Sequence, residues 1–381
     1  MNCHDRYSPQ VTLDDFMYLS GQLSLALSAR RLDGAALLRL ILGKASLPEE
    51  APLLDTILYL LHGYGDRRRK IGPLAVLHPL RVAAILCRCM PEPTELDLLG
   101  ALLHDKEEDL TPEALGGARW QQLQEEYRAL ISKIDSESQW LLGERVAILA
   151  RRPGQSYDEY LSQIILRSRV MPDLLHVKLC DRWDNTADIV VQRDTMPGYN
   201  FLEAAFALMY LPDFEFPVIP DHSLPDKESC VVLLSALYKN AWFMSLLRKA
   251  DLANLDDITS RLFYAVAYIS RVQAAWMAGE VLALSIPDND TRREILLDTM
   301  AYCAGGGIGA VTAPSRGHPL DGTILRFFAV SDDAERHAQL GAIYDDKEFL
   351  CRLMVTFVAV FTSFITSSTY YIDGMPGARG R

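Results

Sequence analysis

Apolar residues recur at three- and four-residue spacing through most of this chain, and few segments alternate with the two-residue period of a strand. The pattern predicts an all-α fold. Two short helices fit Leu13–Leu42, split near Arg31–Gly34, and further helices fit Asp55–Tyr64, His78–Met90, Leu96–Lys106, Arg119–Lys133, Trp140–Ala150, Tyr157–Arg169, Leu174–Val191 and Asn200–Tyr210. Pro212, Pro217, Pro220 and Pro225 then interrupt the periodicity. Beyond them Glu228–Arg248, Ile258–Leu284, Arg292–Cys303 and Asp346–Tyr371 again read as helices. The organisation expected is an N-terminal helical domain over 1–210, a proline-rich linker over 211–226 and a second helical domain over 227–381.

One helix carries an ambiguity. No charged residue falls between Leu353 and Ile372, a run long enough to span a bilayer. It also holds Thr356, Thr362, Ser363, Thr366, Ser367, Ser368 and Thr369, and such hydroxyl content weakens hydropathy. A buried helix is therefore expected rather than a membrane anchor. The N-terminus lacks an apolar stretch of signal-peptide type, and seven cysteines without metal-type spacing read as reduced thiols, so a cytoplasmic protein is expected. A net charge of −12 argues against nucleic acid as a partner. The basic run Arg67-Arg68-Arg69-Lys70 still suits a small phosphorylated ligand. Gly305-Gly306-Gly307-Ile308-Gly309 lacks the Lys-Ser/Thr ending of a phosphate loop and reads as a plain loop.

Chemistry concentrates in a few short segments. His78-Pro79, His104-Asp105 and Asp181 supply two imidazoles and two carboxylates, a set that neutralises a divalent cation and leaves coordination positions open for water and substrate. Apolar Ala101-Leu102-Leu103 leads into His104, and Val177 and Leu179 flank the approach to Asp181. Polar groups emerging from buried helices must be paired or metal-bound. His104 and Asp105 are adjacent and lie about 100° apart on a helix, so they share one ion only near a helix end. Glu108 and Asp109 follow Asp105 at i+3 and i+4, beside the metal, where carboxylates orient or deprotonate bound water and protonate a leaving oxygen. His62 and His176 read as structural, His222 falls in the proline-rich linker, and Trp183 and Tyr160 read as core aromatics.

In order, the motifs are Arg69-Lys70-Ile71-Gly72 six residues before His78-Pro79, Ala101-Leu102-Leu103-His104-Asp105 followed by Glu108-Asp109, and Lys178-Leu179-Cys180-Asp181-Arg182-Trp183-Asp184-Asn185. Over about 55–195 this resembles the HD-domain metallophosphohydrolases, and among them the RelA/SpoT-type (p)ppGpp hydrolase domain. The resemblance implies that His78, His104, Asp105 and Asp181 bind manganese or another divalent metal, and that Glu108 and Asp109 position and activate the attacking water. It implies that Arg69 lies against the base, Lys70 near the phosphates and Asn185 at the nucleotide or its ribose. The reaction implied is hydrolysis of the 3′-diphosphate of an alarmone of the stringent response, with release of pyrophosphate.

This chain departs from the family pattern at Ile71, where serine is usual, and at Leu74-Ala75, where a Pro-Tyr pair is usual. Lys106-Glu107 replaces two apolar residues, and Asp188 stands where a hydroxyl is common. The metal ligands are untouched, and the base- and sugar-facing positions are altered. Two further readings follow: a phosphohydrolase of another nucleotide, or a nucleotide-sensing regulator that uses the site for binding. Intact Glu108-Asp109 favours catalysis, because a sensor has no need of a water-activating pair.

Overall fold

The computed structural model describes residues 12–29, 33–69, 73–189, 229–307, 317–323 and 333–366. Lys70, the helix expected at Asn200–Tyr210, the proline-rich stretch, His222 and the end of the apolar run at 367–372 lie outside the described residues. Those described are largely helical and contain no strand; one isolated β-bridge pairs Arg68 with Leu74. The all-α expectation holds.

The chain divides into two compact units. The first comprises Met1–Asp188 with Leu246–Ile269, and the second Ile189–Ser245 with Ser270–Arg381. In the first unit α1 is Leu13–Leu27, α2 Gly34–Leu42, α3 Ala51–Tyr64, α4 Leu77–Cys89, α5 Glu95–Leu103, α6 Lys106–Asp109, α7 Pro112–Leu115, α8 Gly117–Ile131, α9 Ser136–Leu149, α10 Tyr157–Ser168 and α11 Asp173–Ala187. Local chemistry sets several starts. Thr12 with Asp15, Thr94 with Asp97 and Ser156 with Glu159 form reciprocal capping boxes, which satisfy backbone donors left free by the first turn. Pro79 falls in the first turn of α4, where its missing N–H costs nothing.

Helices α4 and α11 form the centre of this unit and pack on each other; α4 also packs against α5 and α2. Every residue of α4 except Arg88 is buried, and α11 is buried almost throughout. A helix covered on all sides has no polar face to offer, so each charge on it must find a partner inside. Trp183 of α11 is core, edge-on to Phe16 of α1 at 4.7 Å between ring centroids. His176 is structural too: its Nε2 lies 3.0 Å from the Asp256 carboxylate.

Two helices, α12 at Ser229–Lys249 and α13 at Asp257–Ser285, contribute residues to both units. The second unit also holds α14 Asn289–Tyr302, a π-turn at Cys303–Gly307, α15 Asp333–Asp345 and α16 Lys347–Thr366. Helix α16 packs on α14 and α15, with Leu353, Met354, Phe357, Val360, Phe361 and Ile365 buried. Arg352 of α16 pairs with Asp298 of α14. No helix among the described residues is long and apolar enough to cross a membrane.

A candidate metal centre

The helix expected to run unbroken from Leu96 to Lys106 ends at Leu103. His104 caps it, Asp105 leaves helical geometry at φ −98°, ψ 5°, and α6 restarts at Lys106. This break resolves the geometric problem of adjacent ligands. Side chains that would diverge by about 100° on a continuous helix instead both turn inward. The i+4 relation survives it, since Asp109 N–H donates to Asp105 O at 2.9 Å.

His78 from the first turn of α4, His104 and Asp105 from the break after α5, and Asp181 from the middle of α11 converge. One ligand atom from each lies within 4.8 Å of all the others. His78 Nε2 is 3.1 Å from Asp105 Oδ2 and 3.3 Å from Asp181 Oδ1; His104 Nε2 is 3.2 Å from Asp105 Oδ1. The two Nε2 atoms face each other at 3.2 Å. His78, His104 and Asp181 are buried and Asp105 is partly so.

The outer ring nitrogens fix what the inner ones offer. His78 Nδ1 lies 2.6 Å from Asp184 Oδ2, and His104 Nδ1 lies 2.8 Å from the Ala101 carbonyl. Both partners are acceptors, so each Nδ1 carries the proton and each Nε2 turns a lone pair inward. Two lone pairs and two carboxylates then point at one another in a buried space. That arrangement is repulsive unless positive charge sits among them, and a divalent cation fits it. The same demand shows in the imidazoles themselves. Without a cation, burial opposes the charged form of His104, yet the Asp105 and Asp181 carboxylates outweigh it and raise the imidazole to about 9, so a second proton takes the place a cation would fill.

An outer ring of charge supports the ligands. Asp184 is fully buried on α11 and accepts from Arg81 Nε of α4 at 2.6 Å, while Arg81 Nη2 reaches Asp188 at 2.9 Å. Lys178, also buried, places its ammonium 2.7 Å from Asp181 Oδ2 and 5.0 Å from the Tyr160 ring centroid. Asp184, Arg81 and Lys178 were given no role by the sequence reading. A usable signal exists in hindsight: Arg81 is a lone cation inside the otherwise apolar Leu80–Leu86 stretch, and Asp184 follows Asp181 at i+3.

The other expected residues distribute as follows. Asp109 is half-buried and accepts from the Tyr64 hydroxyl at 2.7 Å. Burial and the Asp105 charge hold its carboxyl above the ordinary carboxylate value. Glu108 is exposed, with Oε1 accepting from Arg151 N–H at 2.6 Å. Arg69 lies against the acidic end of α11, 3.4 Å from Asp184 and 3.3 Å from Asp188, and also donates to Asn185. Asn185 in turn donates to the ligand Asp181. Arg69 and Asn185 are thus brought together beside the cluster. His62 is not there; it pairs with Glu126 at the surface.

Removal of divalent metal is expected to lower the thermal midpoint. Saturation at 100 times Kd adds about 2.7 kcal/mol, or roughly 5–10 °C for a unit of this size. Scanning calorimetry with manganese against a chelator checks this, and coincident transitions would rule the centre out as a metal site.

Comparison of the chain with protein-family models, with curated proteins and with solved structures finds no match.

Proposed function

We propose that this chain is a manganese-dependent phosphohydrolase that removes the 3′-diphosphate of an alarmone such as (p)ppGpp. The observation that carries the reading is the convergence of His78, His104, Asp105 and Asp181 from three separate helical segments into one buried two-nitrogen, two-oxygen set. Such a donor set with open positions suits manganese, magnesium or iron. The sequence resemblance favours manganese.

When bound, the cation supplies charge neutralisation at the phosphoryl oxygens and acidifies bound water. The chain's own groups do the rest. Asp109, oriented by Tyr64, takes the proton of the attacking water, and Glu108 on its Arg151 tether positions that water. The bond that breaks joins the ribose 3′-oxygen to phosphorus; the oxygen takes up a proton and pyrophosphate leaves. Arg69 and Lys70 receive the base and phosphates, and Asn185 the ribose.

A nucleotide other than a guanosine alarmone is the second reading. Its warrant is the acidic pair Asp184 and Asp188 beside Arg69, which changes the wall a base would meet. The test is pyrophosphate release from ppGpp by the full chain with manganese, against Asp105→Ala. Release that disappears in the variant is the expected result. Equal release by both would overturn the site, and none from a folded, metal-loaded protein would turn the search to other nucleotides or to sensing.

A further inference from the structure

Arg67 opens the basic run Arg67–Lys70 just outside the cluster, and the mechanism above gives it no role. Helix α3 ends at Tyr64, the following Gly65 reverses the chain with a φ of +53°, and Arg67 N–H returns to the Tyr64 carbonyl at 3.2 Å. The turn is pinned beyond Arg67 as well, where Ala75 N–H donates to the Arg67 carbonyl at 2.8 Å. This folds the guanidinium back over the Tyr64 ring, 5.1 Å from its centroid. One nitrogen, Nη1, donates to the main-chain carbonyl of Asp109 at 3.0 Å.

The remaining edge is the unusual part. Nε and Nη2 of Arg67 are shielded from solvent and have no hydrogen-bond partner. Among the described residues Arg67 makes no ion pair, whereas Arg69 and Arg81 are both matched to carboxylates. A buried cationic donor without an acceptor is costly, and native proteins fill such positions with a partner, a water or a ligand. Nε and Nη2 form the side-on fork of a guanidinium, the edge that grips two oxygens of one carboxylate or phosphate. The residue as a whole is only half-buried, so the fork turns inward from a side chain in reach of solvent.

We propose that the Nε/Nη2 edge of Arg67 is an oxyanion-binding subsite of the metal centre, taking two oxygens of a phosphoryl group. Its placement argues for this use. The same guanidinium holds the backbone of Asp109, and Tyr64 beneath it holds the Asp109 carboxylate. An oxyanion on the fork therefore sits near Asp109, on the α3 side of the cluster, while Arg69 engages α11. The identity of the oxyanion rests on the phosphohydrolase reading: of the groups in that reaction, the terminal phosphate and the departing pyrophosphate carry the most unshared negative oxygens.

The experiment is calorimetric titration of inorganic pyrophosphate into the full-length, manganese-loaded protein and into Arg67→Ala, Arg67→Gln and Arg67→Lys. Loss of two charge-assisted hydrogen bonds is expected to weaken binding roughly 100-fold or more in Arg67→Ala, and somewhat less in Arg67→Gln, which keeps one donor. Arg67→Lys is expected to recover part of the affinity, because a point charge replaces a fork. Metal content, measured alongside, stays at the parent value in the folded variants. If Arg67→Ala does not fold, Arg67→Lys and Arg67→Gln decide, since both keep a donor within reach of the Asp109 carbonyl. Parent-like pyrophosphate affinity in the folded variants overturns the proposal, as does failure of the parent protein to bind pyrophosphate at millimolar concentration. Arg67-dependent binding in a protein that does not hydrolyse ppGpp upholds the subsite and sinks the alarmone reading. Hydrolysis with Arg67-independent pyrophosphate affinity does the reverse.

Discussion

Asp184→Ala is expected to destabilise the first unit by about 3–5 kcal/mol and to weaken metal binding about 10–100-fold. Asp184 touches no metal position, so its effect is transmitted through its partners, chiefly two buried ones beside Arg69. It holds His78 Nδ1 at 2.6 Å and Arg81 Nε at 2.6 Å, and all three side chains are buried. Without the carboxylate, His78 loses the acceptor that fixes its tautomer, and either ring nitrogen then carries the proton. Arg81 keeps Asp188 at 2.9 Å but leaves Nε unpaired in the core. A buried cation stripped of one partner costs far more than the pair contributes. Asp184→Asn separates the two losses: its amide oxygen still accepts from His78, so metal affinity falls less than stability does. The measurements are metal content by atomic absorption and the midpoint of denaturant unfolding. An Asp184→Ala protein with parent stability and full metal content would disprove the linkage.

The four residues of the candidate cluster were legible because they interrupt or end apolar runs. His104 follows Ala101-Leu102-Leu103, and Asp181 sits among Val177, Leu179 and Trp183, all buried. A charged or imidazole group at such a position has few physical excuses, and metal binding is one. The all-α architecture was legible for a related reason, since three- and four-residue spacing leaves little room for a strand. The helix break at His104-Asp105 was not, because no glycine or proline marks it and the backbone there is set by inward-turning side chains. The Arg81–Asp184 pairing was equally hidden: its partners are 103 residues apart, and only packing of α4 on α11 joins them. Helix α15 escaped because Asp333–Asp345 mixes charged and small residues with too weak a stripe to register. Both α6 and α7 span only four residues, less than the window in which periodicity can be read.

Asp109→Asn is expected to lower kcat for nucleotide hydrolysis by about 10²–10⁴ while leaving KM and metal content near parent values. The substitution is nearly isosteric, and the amide oxygen can still accept the Tyr64 hydroxyl that now lies 2.7 Å from Oδ2. What it removes is the capacity to take a proton. Loss confined to kcat would mean that the carboxylate acts in the transition state rather than in binding. Tyr64→Phe is the companion variant. It keeps the carboxylate and deletes the hydrogen bond that aims it, so a smaller loss of about tenfold is expected. Glu108→Gln should fall between the two, because Glu108 is exposed and its Oε1 is already held by Arg151 N–H at 2.6 Å. The order Asp109→Asn, Glu108→Gln, Tyr64→Phe in descending severity is what the proposed half-buried base with an outer positioning carboxylate requires. If Asp109→Asn turned over at the parent rate with metal bound, Asp109 would be relieved of that role. Parent turnover in Glu108→Gln as well would show that neither carboxylate takes part in the reaction.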